Sequence, residues 1–293
     1  MTALGHLPIA AGLHGRDIPQ LRARVPHLTG SFGAMFDLFI AGRTVALPVA
    51  LDELEPHVDY VAAGVRARCS ILPLEPGRRS TAFIACDRLD AHGIETVCWP
   101  DDSSYHLAKA IPPGRRATWL DLGGGSAVAQ LLRPQLADVL VASDLNPRAA
   151  SYARLGAELS GIRHLQTLTG DLEAVEAELI TCNAPIPGDT GPLWSATDER
   201  FMTRLFGVAD RALADGGMVV AHAALDAIPS ALGGEVIVVA YTPPGTPREF
   251  AVVWWRPDGE ARQIRARRPL DLVRPHLDHM DREAALAGTL SPL

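Results

Sequence analysis

Ala117-Thr-Trp-Leu-Asp-Leu-Gly-Gly-Gly-Ser-Ala-Val-Ala-Gln-Leu-Leu132 decides the reading of this chain. The apolar run over 119–122 has the length and character of a buried strand. It ends in Gly123, Gly124 and Gly125, and an apolar, helix-compatible run over 127–132 follows at once. Glycine lets the backbone turn sharply and approach a ligand closely. The start of the following helix offers N–H groups with no intrahelical partner. A strand, a glycine turn and a helix together predict a nucleotide-type site in an α/β domain.

Three further segments extend the pattern. Val139-Leu-Val-Ala-Ser-Asp144 reads as a second buried strand ending in an acid, about twenty residues on. A carboxylate there suits a ribose diol, since its oxygens accept from both hydroxyls. A candidate strand over 164–168 leads into Thr169-Gly-Asp-Leu172, and Ala177-Glu-Leu-Ile-Thr-Cys-Asn-Ala-Pro-Ile-Pro187 ends a fourth in Asn-Ala-Pro.

Taken in order, Asp121-Leu-Gly-Gly-Gly-Ser126, Ser143-Asp-Leu-Asn-Pro147, Gly170-Asp-Leu172 and Cys182-Asn-Ala-Pro185 resemble the class I S-adenosylmethionine (SAM) methyltransferases. The likeness is greatest to the small-methyltransferase branch that includes release-factor glutamine methyltransferases and RNA N-methyltransferases, and it covers about residues 100–256. It implies a Rossmann-like sheet, mostly parallel, with an antiparallel C-terminal hairpin. It assigns Gly123, Gly124 and Gly125 to the methionine portion and ribose of SAM, with Asp121 organising the turn or facing the cofactor's amino group. Asp144, followed by Leu145, would take the ribose hydroxyls. Asp171 would accept from the adenine amino group while the Leu172 N–H donates to the ring.

The same resemblance makes Asn183, Ala184 and Pro185 the catalytic turn, with Asn183 also bordering the cofactor. The family pattern there is Asn-Pro-Pro-aromatic, which holds a planar nitrogen acceptor in line with the methyl group. This chain departs from it. Ala184 replaces the first proline, and Ile186 replaces the aromatic platform. The departure points towards an amine, carboxylate or hydroxyl on a non-aromatic substrate. Ile186 and Trp194, in the Gly- and Pro-rich loop over 186–195, are the candidate substrate contacts, and the loop reads as a lid.

Bulk properties agree with an enzyme of this kind. The chain has 293 residues, is 47% hydrophobic and carries a net charge of −7. That is enough for a substantial core, and the charge argues against a dominant nucleic-acid surface. The local run Arg262, Arg265, Arg267 and Arg268 reads first as a solvated face, with an RNA or anionic-substrate contact as the alternative. The four cysteines have no metal-ligand spacing, and four free thiols are expected. His276, Asp278 and His279 read as a solvated cluster, so no metal is assigned; His222, at a strand end, reads as a buried structural histidine, with a base as the alternative. No apolar run reaches membrane-spanning length, and a cytoplasmic protein is expected.

The expected organisation is an accessory, substrate-shaping segment over 1–98 and a SAM-binding domain over 99–293. In the first, strands over 67–74 and 81–87 flank a turn at 75–78, and a helix runs from 51 up to Pro56. In the second, Ser103 or Ser104 caps a helix through residue 110. Helices follow over 148–160 and 198–214, the latter with a capping box at Ser195 and Asp198. Segments 235–241 and 250–255 make a hairpin at a sheet edge.

The function expected is methyl transfer from SAM to a nitrogen or oxygen of a small-molecule or peptide acceptor, in a default homodimer. The alternatives are an RNA or protein-glutamine N-methyltransferase, a non-catalytic SAM-binding protein and a nicotinamide dehydrogenase. Against the last, Val128 stands where a dinucleotide fingerprint needs its third glycine.

Overall fold

The computed structural model describes residues 30–46, 55–77, 80–186, 200–243, 245–271 and 273–293. The expectations for Trp194, the 187–195 part of the lid, the Ser195–Asp198 capping box and the start of the helix at 51 lie outside these residues.

A helical turn, α1 (Gly30–Met35), continues as a wider turn through Ile40. Two hairpins follow: β1 (Val58–Val61) with β2 (Gly64–Ala67), and β3 (Ser70–Gly77) with β4 (Ser80–Cys86). Then come α2 (Asp102–Ala110), β5 (Arg116–Leu122), α3 (Val128–Leu132), β6 (Ala137–Asp144) and α4 (Pro147–Leu159). They lead into β7 (Leu165–Thr169), β8 (Ala177–Asn183), α5 (Phe201–Ala212) and β9 (Leu213–Ala224). The chain closes with β10 (Glu235–Tyr241), β11 (Phe250–Arg256), β12 (Arg262–Arg267), α6 (His279–Leu286) and β13 (Ser291–Pro292).

Nine of these strands form one sheet in the order β13-β12-β10-β11-β9-β8-β5-β6-β7. The run from β9 to β7 is parallel throughout, and β11 lies antiparallel between β9 and β10. This is the Rossmann-like layout that the methyltransferase resemblance implied. Helices cover both faces, as parallel strands buried on two sides require. Side chains alternate accordingly. Trp119, Leu179, Val220 and Trp254 join one apolar layer, while Leu120, Ile180, Val219 and Val253 join the other with Phe201, Leu205 and Phe206 of α5. Among the described residues, no helix is long and apolar enough to cross a membrane.

The first layer is continuous with the N-terminal segment. Phe36, Leu74 and Ile84 belong to the same buried cluster as Trp119 and Leu131. The β3–β4 hairpin packs on α4, and Gly156 makes the close approach possible. A Cβ there would lie 2.7 Å from the Phe83 carbonyl oxygen and 2.8 Å from Leu131 Cδ1.

Local structure departs from expectation in several places, among them His276, which is buried and not part of a solvated cluster, and β3, which runs on to Gly77 through the expected turn. Asp101, not Ser103 or Ser104, caps α2, accepting from the Ser103 and Ser104 N–H groups. The helix expected over 198–214 ends at Ala212, because Leu213 already pairs with Ala177 of β8. The 235–241 and 250–255 hairpin is inside the sheet, since β12 adds in parallel to β10. The arginine run is that β12 strand: Arg262, Arg265 and Arg267 are exposed, as a solvated face requires, but Arg268 is not. Arg268 just beyond it is buried, donates to the carbonyls of His276 and Arg274 at 2.7 Å, and pairs with buried Asp281 at 3.3 Å.

Gly156→Ala is expected to destabilise the protein by about 1–3 kcal/mol through overpacking, although alanine in an open helix would gain about 1 kcal/mol. Urea unfolding measures the sign. A stabilised variant would contradict the close β4–α4 contact.

Candidate active site

Parallel pairing puts the C-terminal ends of five strands on one rim. The register aligns Leu122 with Ser143, Asp144 with Thr169, Asp121 with Thr181 and Asn183 with His222. Crevices outside such strand ends are where open α/β sheets bind ligands.

The glycine turn leaves β5 through Gly123 at φ +65° and Gly125 at φ +53°, left-handed values that disfavour a side chain. Gly124 has ordinary φ but a tight setting: a Cβ would sit 3.2 Å from both the carbonyl and Oδ2 of Asp121. The Gly124 N–H donates to the Ser143 carbonyl at 3.0 Å, tying the turn to β6. Ser126 Oγ and Ser143 Oγ are buried beside this turn without a partner among the described residues. Buried orphan hydroxyls are costly and mark a place where a ligand or solvent completes the structure. The helix after the turn, α3, has only five residues, so it adds little dipole.

Asp144 is held by two backbone donors. The Gly125 N–H reaches Oδ2 and the Asn146 N–H reaches Oδ1, each at 2.8 Å. A carboxylate has about four acceptor sites, so one on each oxygen remains. The cap of α4 is Asn146, whose Oδ1 accepts from the Arg148 N–H at 2.9 Å, so Asp144 is not spent as a helix cap. Burial raises the Asp144 pKa, against the lowering effect of its backbone donors. Leu145 beside it is exposed, an apolar surface next to the acid.

The Gly170 N–H donates to the Asp144 carbonyl at 3.0 Å, which brings the Asp171–Leu172 turn to the same rim. Leu172 adopts φ +55°, an uncommon strain for a branched residue. Asp171 is exposed and pairs with Arg204 at 2.6 Å.

Asp121 is buried under the turn. Thr181 Oγ1 donates to its Oδ1 at 2.5 Å and in turn accepts from Trp119 Nε1 at 2.7 Å. Burial pushes the Asp121 pKa up to about 7, and the nearby Asp144 adds to the rise.

Asn183 ends β8, half-buried. Its Nδ2 donates to Ser103 Oγ of α2 at 2.6 Å, and its Oδ1 lies 3.0 Å from His222 Nδ1. His222 Nε2 lies 2.8 Å from the Tyr241 hydroxyl, and burial pushes the His222 pKa down to about 3. The Ala184 N–H donates to the His222 carbonyl at 2.8 Å. Pro185 follows, and Ile186 is exposed.

Thus Asp121, the glycines, Asp144, Leu145, Asp171, Leu172 and Asn183–Ile186 all fall on the one rim. Sequence reasoning missed the partners: Asn146, which also donates from Nδ2 to the Glu95 carbonyl at 2.8 Å, and the Ser103 and Tyr241 contacts. His222 was legible as a buried histidine but not as the neighbour of Asn183. Asp278 caps α6 in a capping box with Asp281, and Trp254 and Trp255 are core residues.

No protein-family model and no curated protein sequence matches the chain. Several solved structures resemble it. A ribosomal protein L11 methylase from Lactobacillus delbrueckii subsp. bulgaricus is 18% identical, with 53% of this chain and 76% of that one covered and a TM-score of 0.40. A methyltransferase from Pyrococcus furiosus is 17% identical over 58% and 88%, TM-score 0.41. A SAM-dependent methyltransferase from Agrobacterium tumefaciens is 13% identical over 72% and 81%, TM-score 0.42.

The Asp121 pKa predicts a pH dependence. Carboxyls in an unfolded chain ionise near pH 4. Between there and pH 7 the folded protein keeps a proton that the unfolded chain has lost, so stability falls as pH rises across that window. Asp121→Asn stays neutral and should flatten the fall by an amount on the order of a few kcal/mol. Urea midpoints of both proteins at pH 5 and pH 8 measure it; equal slopes would show that Asp121 titrates normally.

Proposed function

We propose that the protein is a SAM-dependent methyltransferase acting on a nitrogen or oxygen of a small-molecule or peptide acceptor. One observation carries the cofactor reading. Asp144 accepts the glycine turn's Gly125 N–H on Oδ2 and the Asn146 N–H on Oδ1, which leaves one lone pair on each oxygen for a diol. The orphaned Ser126 and Ser143 hydroxyls support a ligand at that turn.

Asp144 would accept from the ribose hydroxyls, and Leu145 would give the base an apolar surface. The strained Leu172 would present its N–H to the ring, with Asp171 accepting from the exocyclic amine. Gly123, Gly124 and Gly125 would admit the amino-acid portion, with Asp121 behind them. Bound there, the cofactor supplies a methyl group on a positively charged sulfur, which an acceptor nucleophile displaces. The chain's contribution is to aim the acceptor: Asn183 hydrogen-bonds it, and positioning supplies most of the rate enhancement. The segment before residue 99 would shape the cleft, since Glu95 is bonded to Asn146 beside Asp144.

The rival RNA reading needs free positive charge. Of the arginines on which that reading rests, Arg78 and Arg79 lie outside the described residues, Arg265 is exposed with no carboxylate partner among the described residues, and Arg66, Arg68, Arg262, Arg267 and Arg268 each pair with a carboxylate; the paired majority favours an acceptor other than RNA.

Asp144→Ala should weaken SAM binding at least tenfold, since hydrogen bonds to a charged acceptor contribute about 1.5–3 kcal/mol. Calorimetry reads this directly. Labelled SAM added to a lysate split into protein, RNA and small-molecule fractions tests the reaction. Label in the small-molecule or peptide material, absent with the variant, is the expected result. Label in RNA would favour the rival, and SAM binding without any transfer would mark a non-catalytic binder.

A further inference from the structure

The hydrogens around Asn183 can be placed one by one. Asp101 Oδ1 accepts the Ser103 N–H at 3.0 Å and also the Ser103 hydroxyl. A serine hydroxyl has a single hydrogen, so Ser103 Oγ can only accept from Asn183. The atom 2.6 Å away is therefore Nδ2. That turns Oδ1 towards His222, and a carbonyl oxygen has no hydrogen to give. His222 Nδ1 must carry the proton of this 3.0 Å bond. A neutral ring then leaves Nε2 bare, to accept the Tyr241 hydroxyl at 2.8 Å. His106 of α2 stacks on Tyr241 at 4.1 Å, and its Nδ1 accepts the Leu277 N–H at 2.8 Å. The relay thus runs from α2 across β8 and β9 to β10, and the C-terminal segment braces it.

A carboxamide has two N–H donors and two lone pairs. One of each is taken, and Asn183 is only half-buried. We infer that Ser103 and His222 are positioning residues that clamp the Asn183 carboxamide, so that it offers the methyl acceptor one N–H donor and one lone pair. Such a clamp favours an acceptor group that both donates and accepts, such as a hydroxyl or an amide, over an ammonium that only donates. The inference rests on the methyltransferase reading for its consequence and on the hydrogen-bond relay for its geometry.

The test uses the full chain, S-adenosylhomocysteine as the cofactor probe, and long-range nitrogen–proton NMR of the histidine rings. Wild-type His222 should show the neutral Nδ1–H form from pH 5 to pH 8. Ser103→Ala frees the Asn183 amide to rotate, so His222 should become a mixture of the two forms, although Ser103 does not touch it. A merely local role for Ser103 would leave that ring unchanged. S-adenosylhomocysteine affinity should stay within twofold. In whichever lysate fraction takes label from SAM, Ser103→Ala should lower kcat tenfold or more at unchanged KM for SAM, and Ser103→Thr, which keeps the hydroxyl, should recover most of it. An Nε2–H form in the wild type, a His222 ring indifferent to Ser103→Ala, or an unchanged kcat would overturn the clamp. Failure of the wild type to bind S-adenosylhomocysteine would instead overturn the cofactor reading, leaving the NMR result to decide the relay.

Discussion

The carboxylate of Asp144 is the joint on which the rim depends. It receives the N–H of Gly125 from one crossover and that of Asn146 from the next, so the ends of β5 and β6 are locked to each other. Parallel strands have no short turn to fix their ends. Without such a joint, the glycine turn, with its left-handed backbone at Gly123 and Gly125, would be tied to β6 by the Gly124 bond to Ser143 and closed on itself by the Ala127 bond to Gly124. The same residue passes its carbonyl to Gly170, which carries the constraint on to the Asp171–Leu172 turn.

Beside this joint, a buried polar stripe crosses one face of an otherwise apolar sheet. Asp121 and Thr181 lie in its first half, Asn183, His222 and Tyr241 in its second. Burying such groups is costly unless each finds a partner. Here the partners come from Trp119 within the sheet and from Ser103 of α2 above it. The packing of α2 is therefore both apolar and polar: Trp254 Nε1 donates to the Ala110 carbonyl at its C-terminal end, and Ser103 engages Asn183 at its start. A helix held at both ends over the sheet keeps Ser103 fixed beside Asn183.

The sheet and the gathering of the glycine turn, Asp144 and Asn183 on its rim were legible because their signals are local. Gly123–Gly125 follow an apolar run directly, and Asp144 and Asn183 each terminate one. The relay was not legible, because its partners are far apart: Ser103 is 80 positions from Asn183, and His222 is 39. Ser103 carried a local signal as a helix cap, and that signal pointed to the wrong role, since Asp101 takes the cap. That the exposed arginine run is a strand was missed for another reason. A peripheral strand is buried mainly where Ala266 faces inward, so β12 lacks the apolar content that marked β5, β6 and β8. The hairpin of β10 and β11 was read correctly as a pair but placed at the edge, because nothing in 235–255 announces that a later segment will extend the sheet.

The central claim is that the rim of β5, β6 and β7 holds SAM. A crystal structure of the protein grown with S-adenosylhomocysteine tests it most directly. The account predicts density along the glycine turn, with both ribose hydroxyls on Asp144 and the base between Leu145 and Leu172. Density elsewhere on the molecule, or a ribose that leaves Asp144 bonded only to Gly125 and Asn146, would contradict it.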